Sequence, residues 1–267
     1  MAVILQKIRS VPLYKLENFL KYAIINPIII QWSDNMAQNR KNTFTETAYQ
    51  AILQKIIQEQ ITPGTPLREE RLATELGISA TPVREAFRRL EYEGWLQSSP
   101  YKGVYIRKYT PQDISELYLL REAMESTGAA EAACNATDED IEKIRCILEN
   151  QQRYLQERES LQQQTEKPVR IELELNFHAT VAEAAHNTLL LQRINMLRAQ
   201  TTYLWLNHNN PKVASEKNSR RALEEHWMIY LAIQRRWVDQ ARSLMAKHIS
   251  FARENHMKIL QNSPDSI

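Results

Sequence analysis

The sequence predicts a mainly α protein in two parts, a small N-terminal domain ending in a hairpin and a C-terminal all-α bundle of about six helices. Three observations carry this expectation. Glycine is scarce, five in 267 residues, and Gly64, Gly77, Gly94 and Gly103 crowd into one forty-residue stretch, so tight turns concentrate there. The rest is rich in Leu, Glu, Gln, Arg and Ala, which favour helix. Beyond residue 110, apolar side chains recur at helical spacing almost throughout.

Composition narrows the function classes. Apolar residues make up 43% and charged residues 25%, ordinary for a globule with a real core. A formal charge of +2 and a pI near 8.4 mean that any polyanion-binding surface is local. Two cysteines, Cys134 and Cys146, make no disulfide framework and fit a reducing cytoplasm. The most apolar run, residues 22–30, is cut by Asn26-Pro27 and falls short of the roughly twenty residues of a membrane span. Lys7 and Arg9 are followed by no signal-peptide core or cleavage site, and residues 1–42 receive no role.

Ordered sequence starts at Thr43-x-x-Glu46, a capping-box pattern, followed by Ala48, Ile52, Ile56 and Ile57 at helical spacing. The run from Thr62 through Pro63, Gly64 and Thr65 to Pro66 breaks that helix. A short helix from Arg68 to Leu76 ends at Gly77, and another begins near Ser79 to Thr81, with Pro82 in its first turn. The second carries Val83, Ala86, Phe87 and Leu90 on one face and stops at Gly94. Helix, short glycine turn and helix form a helix-turn-helix. The period then changes: residues 95–98 and 104–107 read as two strands around Pro100 to Gly103. A two-stranded ribbon directly after a helix-turn-helix makes a winged helix. Thr110, Pro111 and Asp113 restart the chain as a capped helix. The expected domains are therefore 43–108 and 109–262, with an extension 1–42 and a tail 263–267.

A recognition helix of this kind fits the B-DNA major groove, and its first turns meet base edges. Ser79, Thr81 and Arg84 lie there, and Arg84 can pair bidentately with a guanine. Arg88 and Arg89 lie farther along, within reach of phosphates, and equally fit a solvated charged face. Lys102 at the wing tip, beside Gly103, can reach phosphate or the minor groove. Between Ser79 and Lys108 six basic residues face three acidic ones, so this segment is more basic than the chain.

In the second domain Glu174 and His178 are four apart and share a helix face. His226 and His248 follow on two later helices. Around one cavity, this carboxylate and three imidazoles would suit Zn, Ni or Mn. Spacing alone does not separate such a set from ordinary core and surface histidines. His186, His208 and His256 have no such neighbours in sequence and read as structural or surface residues.

The stretch from Pro63-Gly64-Thr65-Pro66-Leu67, through residues 77–91, to Gly94-Trp95-Leu96 resembles the GntR family of bacterial transcription regulators. Residues 121–125, Asn176-Phe177-His178 and Glu225-His226 look like the FadR C-terminal domain, and six helices point to its VanR-like branch. The resemblance covers residues 45–260 and implies a cytoplasmic, homodimeric, DNA-binding repressor acting on a palindromic operator. It also implies a divalent metal bound by an Asp and three His, matching Glu174, His178, His226 and His248 here, and a small carboxylate effector clamped by Arg121. Arg121 equally fits a helix-surface ion pair with Glu125. Two departures stand out: Ala80 where relatives commonly carry arginine, and Glu174 where Asp is usual. Tyr118, Tyr203, Trp205 and Trp227 are available to line the cavity and equally read as core.

Two other functions fit the same residues, a metal-dependent hydrolase or a metal- or metabolite-binding protein. A zinc hydrolase would use the cluster to activate water, yet no separate general acid or base stands out. A nucleophile elbow, a P-loop and a dinucleotide fingerprint are absent from the sequence.

Overall fold

A computed structural model of the chain describes residues 43–57, 63–100, 103–160, 167–207 and 216–261. The extension 1–42, the wing-tip residue Lys102, His208 and the tail 263–267 lie outside the described residues. The chain divides into two compact units, one up to Tyr109 and one from Thr110.

In the first unit, helices α1 (Phe44–Ile57), α2 (Glu69–Leu76) and α3 (Ala80–Tyr92) pack with strands β1 (Pro66–Leu67), β2 (Leu96–Ser99) and β3 (Gly103–Ile106). Along α1, Ala48, Tyr49, Ile52, Leu53 and Ile56 are buried, and α1 packs on α3, whose Val83, Ala86, Phe87 and Leu90 are buried. Burying such side chains contributes about 1.5–3 kcal/mol for each large one. Helix α2 ends because Gly77 takes φ 67°, which an L side chain rarely adopts. The Ile78 amide then returns to the Ala73 carbonyl at 3.0 Å, closing a Schellman cap and turning the chain into α3.

The sheet has three strands in the order β1-β3-β2, all antiparallel. The sequence pattern anticipates only β2 and β3. Strand β1 is a two-residue pairing of Pro66 with Tyr105 and Leu67 with Val104. A pairing that short has no periodicity of its own. It forms because β3 offers it an edge.

The second unit is entirely helical among its described residues: α4 (Pro111–Asn135), α5 (Asp138–Ser160), α6 (Lys167–Ala184), α7 (Thr188–Asn207), α8 (Glu216–Gln234) and α9 (Val238–Gln261). Helix α4 starts in a capping box, with the Asp113 amide donating to Thr110 Oγ1 and the Thr110 amide to Asp113 Oδ2. It is the central helix, packed against α6, α7, α8 and α9. Its small buried residues Gly128, Ala129, Ala130, Ala132 and Ala133 let those helices approach closely. A Cβ at Gly128 would meet Ile194 Cδ1 of α7 at 3.1 Å. Among the described residues no helix is long and apolar enough to cross a membrane.

Candidate functional site

In the first unit the start of α3 is open to solvent. Ser79, Thr81, Arg84 and Arg88 are all exposed, as is Gly103 at the start of β3. Ser79 is the N-cap of α3, but its side chain makes no cap hydrogen bond. Arg84 donates through Nε to Glu69 Oε2 of α2 at 2.9 Å, with Nη2 2.8 Å from the same oxygen. That bond raises the Arg84 pKa further, so the guanidinium stays charged.

Arg89 points elsewhere. Its Nη1 pairs with Glu46 Oε2 at 2.7 Å, its Nε donates to Glu93 Oε1 at 3.0 Å, and its guanidinium lies 3.6 Å from the Tyr49 ring centroid. Tyr49 donates to the other Glu93 oxygen at 2.7 Å. Burial pushes the Glu93 carboxyl up, against hydrogen bonds from Tyr49 and the charge of Arg89. Arg89 therefore ties α1 to α3 and is occupied inside the unit.

In the second unit, Glu174 and His178 of α6, His226 of α8 and His248 of α9 offer ligand atoms that all lie within 4.8 Å of one another. The three Nε2 atoms converge. His248 Nε2 is 3.2 Å from His178 Nε2 and 3.3 Å from His226 Nε2. Glu174 Oε2 stands 3.4 Å from His226 Nε2 and 3.8 Å from the other two. All three histidines are buried, and Phe177 stacks on the His226 ring at 3.9 Å.

Behind each ring stands an oxygen acceptor. His178 Nδ1 is 2.7 Å from Glu125 Oε2, and His248 Nδ1 is 2.8 Å from Glu225 Oε2. His226 Nδ1 is 3.3 Å from Gln151 Oε1, whose amide is oriented by its own bond to the Leu173 carbonyl. The Gln151 and Glu225 oxygens favour the Nδ1–H tautomer of His226 and His248 and turn their Nε2 lone pairs toward the shared centre, while Glu125 Oε2 lies close to His178 Nδ1 outside hydrogen-bond geometry. Three acceptor nitrogens facing one point need a cation or a shared proton between them. Oxygen acceptors behind ligating imidazoles are the usual support of a metal site, so the residues fit a divalent ion.

The electrostatics agree. Burial pushes the Glu174 carboxyl up, but its closeness to His226, His178 and His248 outweighs this and holds it well below the usual range. Burial pushes the His226 imidazole down, against the pull of Glu174. The cluster forms part of the wall of a cavity of about 150 Å³. Arg121, Arg198, Thr202, Trp205 and Ser219 line other parts of it.

Arg121 is not at a helix surface. It is buried on α4, and its Nε donates to Glu125 Oε1 at 2.6 Å, so Glu125 joins Arg121 to His178. Of the four aromatics considered from sequence, Trp205 lines the cavity. Tyr118 and Tyr203 are buried core side chains, and Trp227 packs edge-on to Tyr230. His256 is buried with its Nδ1 3.2 Å from the Tyr118 hydroxyl, and His186 lies 2.7 Å from Asp140.

Sequence reasoning named the cluster without its supports. Glu125 appeared only as a partner of Arg121, Glu225 only as the neighbour of His226, and Gln151 and Arg198 not at all. Glu125 has a local signal, four residues from Arg121 on the same helix face. Gln151 and Arg198 have none, because their partners are 75 and 23 residues away.

A helix-turn-helix with a β wing, joined in one chain to a helical unit with a buried polar pocket, defines the class: a DNA-binding transcriptional regulator. Comparison with known families is consistent with it. The pattern described as "Bacterial regulatory proteins, gntR family" matches residues 44–106, and the FCD domain matches residues 116–251. The chain belongs to the GntR family of bacterial regulators and carries an FCD domain. It is 28% identical over 230 residues to the HTH-type transcriptional repressor RspR of Escherichia coli K12, covering 85% of this chain and 95% of that protein. It is 32% identical over 164 residues to a probable D-xylose utilization operon transcriptional repressor of Paenarthrobacter nicotinovorans, covering 60% of this chain and 69% of the other. The solved structure of E. coli McbR/YncC shares the fold, with a TM-score of 0.60 at 19% identity over 83% of this chain and 99% of that one. The family is one of regulators, and the protein is accordingly a regulator rather than an enzyme.

Proposed function

We propose that the protein is a cytoplasmic repressor whose affinity for a palindromic operator is set by a small carboxylate bound in the FCD pocket. Residues 43–108 form the DNA-binding domain and 109–262 the effector-binding and dimerisation domain. Ser79, Thr81 and Arg84 meet bases, while Arg88, Lys102 and Gly103 meet the backbone or minor groove. Glu174, His178, His226 and His248 hold a divalent ion, Zn, Ni or Mn, and Arg121 faces the carboxylate. The repressor sense is supported by the names of relatives that are themselves repressors.

The observation that carries the pocket reading is the convergence of three Nε2 atoms with an oxygen acceptor behind each ring. A divalent ion there supplies a Lewis-acidic seat for a ligand oxygen. Glu125, Gln151 and Glu225 hold the imidazoles in register. Glu174 completes the donor set with an arm one methylene longer than the usual Asp. A homodimer doubles the base contacts of a single winged helix on a two-fold site.

The test is elemental analysis of protein purified without chelator, followed by melting with and without EDTA. A ligand bound only to the folded state raises its stability. About one ion per chain is expected, with a lower melting temperature after chelation and a smaller shift in His226→Ala. No ion, and no response of the melting temperature to added Zn, Ni or Mn, would leave the four residues a structural cluster. Sedimentation at micromolar concentration tests the dimer, which a monomer with and without DNA would exclude.

A further inference from the structure

Apart from His178 Nδ1, which faces Glu125 Oε2 at 2.7 Å outside hydrogen-bond geometry, two polar atoms of cavity-lining residues lack a hydrogen-bond partner among the described residues, Arg198 Nε on α7 and Ser219 Oγ on α8. Their residues are 1% and 6% exposed. The rest of the Arg198 guanidinium is lightly held: Nη2 donates to the Leu175 carbonyl and Nη1 lies 3.5 Å from Asn195 Oδ1. These are neutral acceptors. Burial pulls the guanidinium pKa down to about 10, although Glu125 and Glu183 attract it without a direct salt bridge, and an orphaned buried donor costs its full desolvation.

Charge matching around the cavity gives the same answer from a second direction. Arg121 is matched by Glu125, and Arg221 by Glu225. Among the charged side chains lining the cavity, Arg198 and Glu174 remain without an opposite charge in a salt bridge to Asp, Glu, Lys or Arg. A divalent ion in the histidine cluster exceeds the charge of Glu174 by one. Together with Arg198, which Glu125 and Glu183 attract without a salt bridge, it leaves two separate positive centres on the cavity wall, a pattern that one monoanion does not span.

We infer that the pocket receives a short dicarboxylate, one carboxylate seated at the histidine cluster and the other at Arg198 and Ser219. This rests on the reading of the pocket as a metal and carboxylate site. Arg198 supplies a charged donor and Ser219 a hydroxyl donor to the distal carboxylate. Arg121, already engaged by Glu125, orients the proximal one. A cavity of about 150 Å³ restricts the ligand to a short chain, a volume on the order of one that holds benzene.

The test is isothermal titration of zinc-saturated protein, with metal retention checked by elemental analysis. The probes are malonate, succinate and glutarate, each against the monocarboxylate of equal chain length: propionate, butyrate and valerate. At least one dicarboxylate is expected to bind about tenfold or more tighter than its partner, the gain from a buried charge-assisted hydrogen bond. Arg198→Gln is expected to abolish that preference while keeping monocarboxylate binding, and Ser219→Ala to reduce it. Equal binding within every pair overturns the dicarboxylate inference and leaves the pocket reading standing. Failure of all six acids to bind zinc-saturated protein overturns both. The wild-type comparison decides the matter even if Arg198→Gln does not fold.

Discussion

Three arginines of one helix meet three different fates. Arg84 is exposed at the start of α3 and rests on Glu69, Arg88 is exposed without an ion pair among the described residues, and Arg89 is locked between Glu46, Glu93 and Tyr49. From sequence they differ only by position along the helix, so the placement of Arg84 in the exposed first turns was legible, whereas Arg88 and Arg89 were not separable. The deciding partners, Glu46 and Tyr49, are about forty residues upstream. Arg84→Ala is expected to weaken operator binding about tenfold or more and to blunt discrimination at one base position. Titration against single-base operator variants at fixed salt checks it, and unchanged affinity removes Arg84 from the readout. Arg89→Ala acts through folding instead. It removes the cation beside the buried Glu93 carboxylate, which keeps its bond from Tyr49, and breaking such a buried pair costs on the order of 3 kcal/mol. Its melting temperature is expected to fall, whereas that of Arg88→Ala stays at the wild-type value.

Elements were legible where a local rule fixes them. Thr110, Pro111 and Asp113 announce α4, and Gly77 announces the end of α2, because cap chemistry lies within four residues of sequence. Helix α8 ends less visibly. Arg236 takes φ 62°, and the Trp237 amide returns to the Ala232 carbonyl at 2.8 Å, a Schellman cap without glycine. Its guanidinium also donates to the Ala136 carbonyl at 2.6 Å, so tertiary contact holds a backbone that the residue type disfavours. Helix α5 carries a second capping box: the Asp140 carboxylate accepts from the Thr137 amide at 2.9 Å and from its hydroxyl at 2.7 Å. Burial pushes the Asp140 carboxyl up, but the Thr137 bonds and His186 outweigh it and hold it at about 2. A carboxyl depressed in the folded state contributes stability above its unfolded pKa of about 3.9, and that stability is lost as pH falls toward about 2. Asp140→Asn keeps an acceptor for Thr137 but loses the negative charge at the helix N-terminus. It is therefore expected to melt lower than wild type at pH 6, by the equivalent of about 0.3–1 kcal/mol. The gap narrows as pH drops through 4 toward 2. A gap that stays constant over that range would show that the charge of Asp140 does not support the cap.

At the scale of the whole molecule, the sequence shows a winged helix followed by a helical bundle, and spacing puts Glu174 and His178 on one face. It does not show that His226 and His248 turn toward them. That requires α6, α8 and α9 to meet around α4, a consequence of the small residues along α4 that no local pattern announces. Regulation adds a thermodynamic constraint that can be checked without knowing how the two units are arranged. If a ligand in the pocket lowers operator affinity by some factor, operator DNA must lower ligand affinity by the same factor. Allosteric couplings usually amount to about 5- to 150-fold. An operator duplex can be selected from random-sequence DNA by the purified protein, and the acid that binds most tightly in the titrations serves as the ligand. Operator affinity measured with and without saturating acid, and acid affinity measured with and without saturating duplex, are expected to change by equal factors above about fivefold. Arg84→Ala should lower DNA affinity in both states and leave the ratio nearly intact, since Arg84 is proposed to meet bases and lines no part of the cavity. Disruption of the cluster by His226→Ala should bring the ratio toward one. If the acid binds and operator affinity is the same with and without it, the pocket does not control DNA binding.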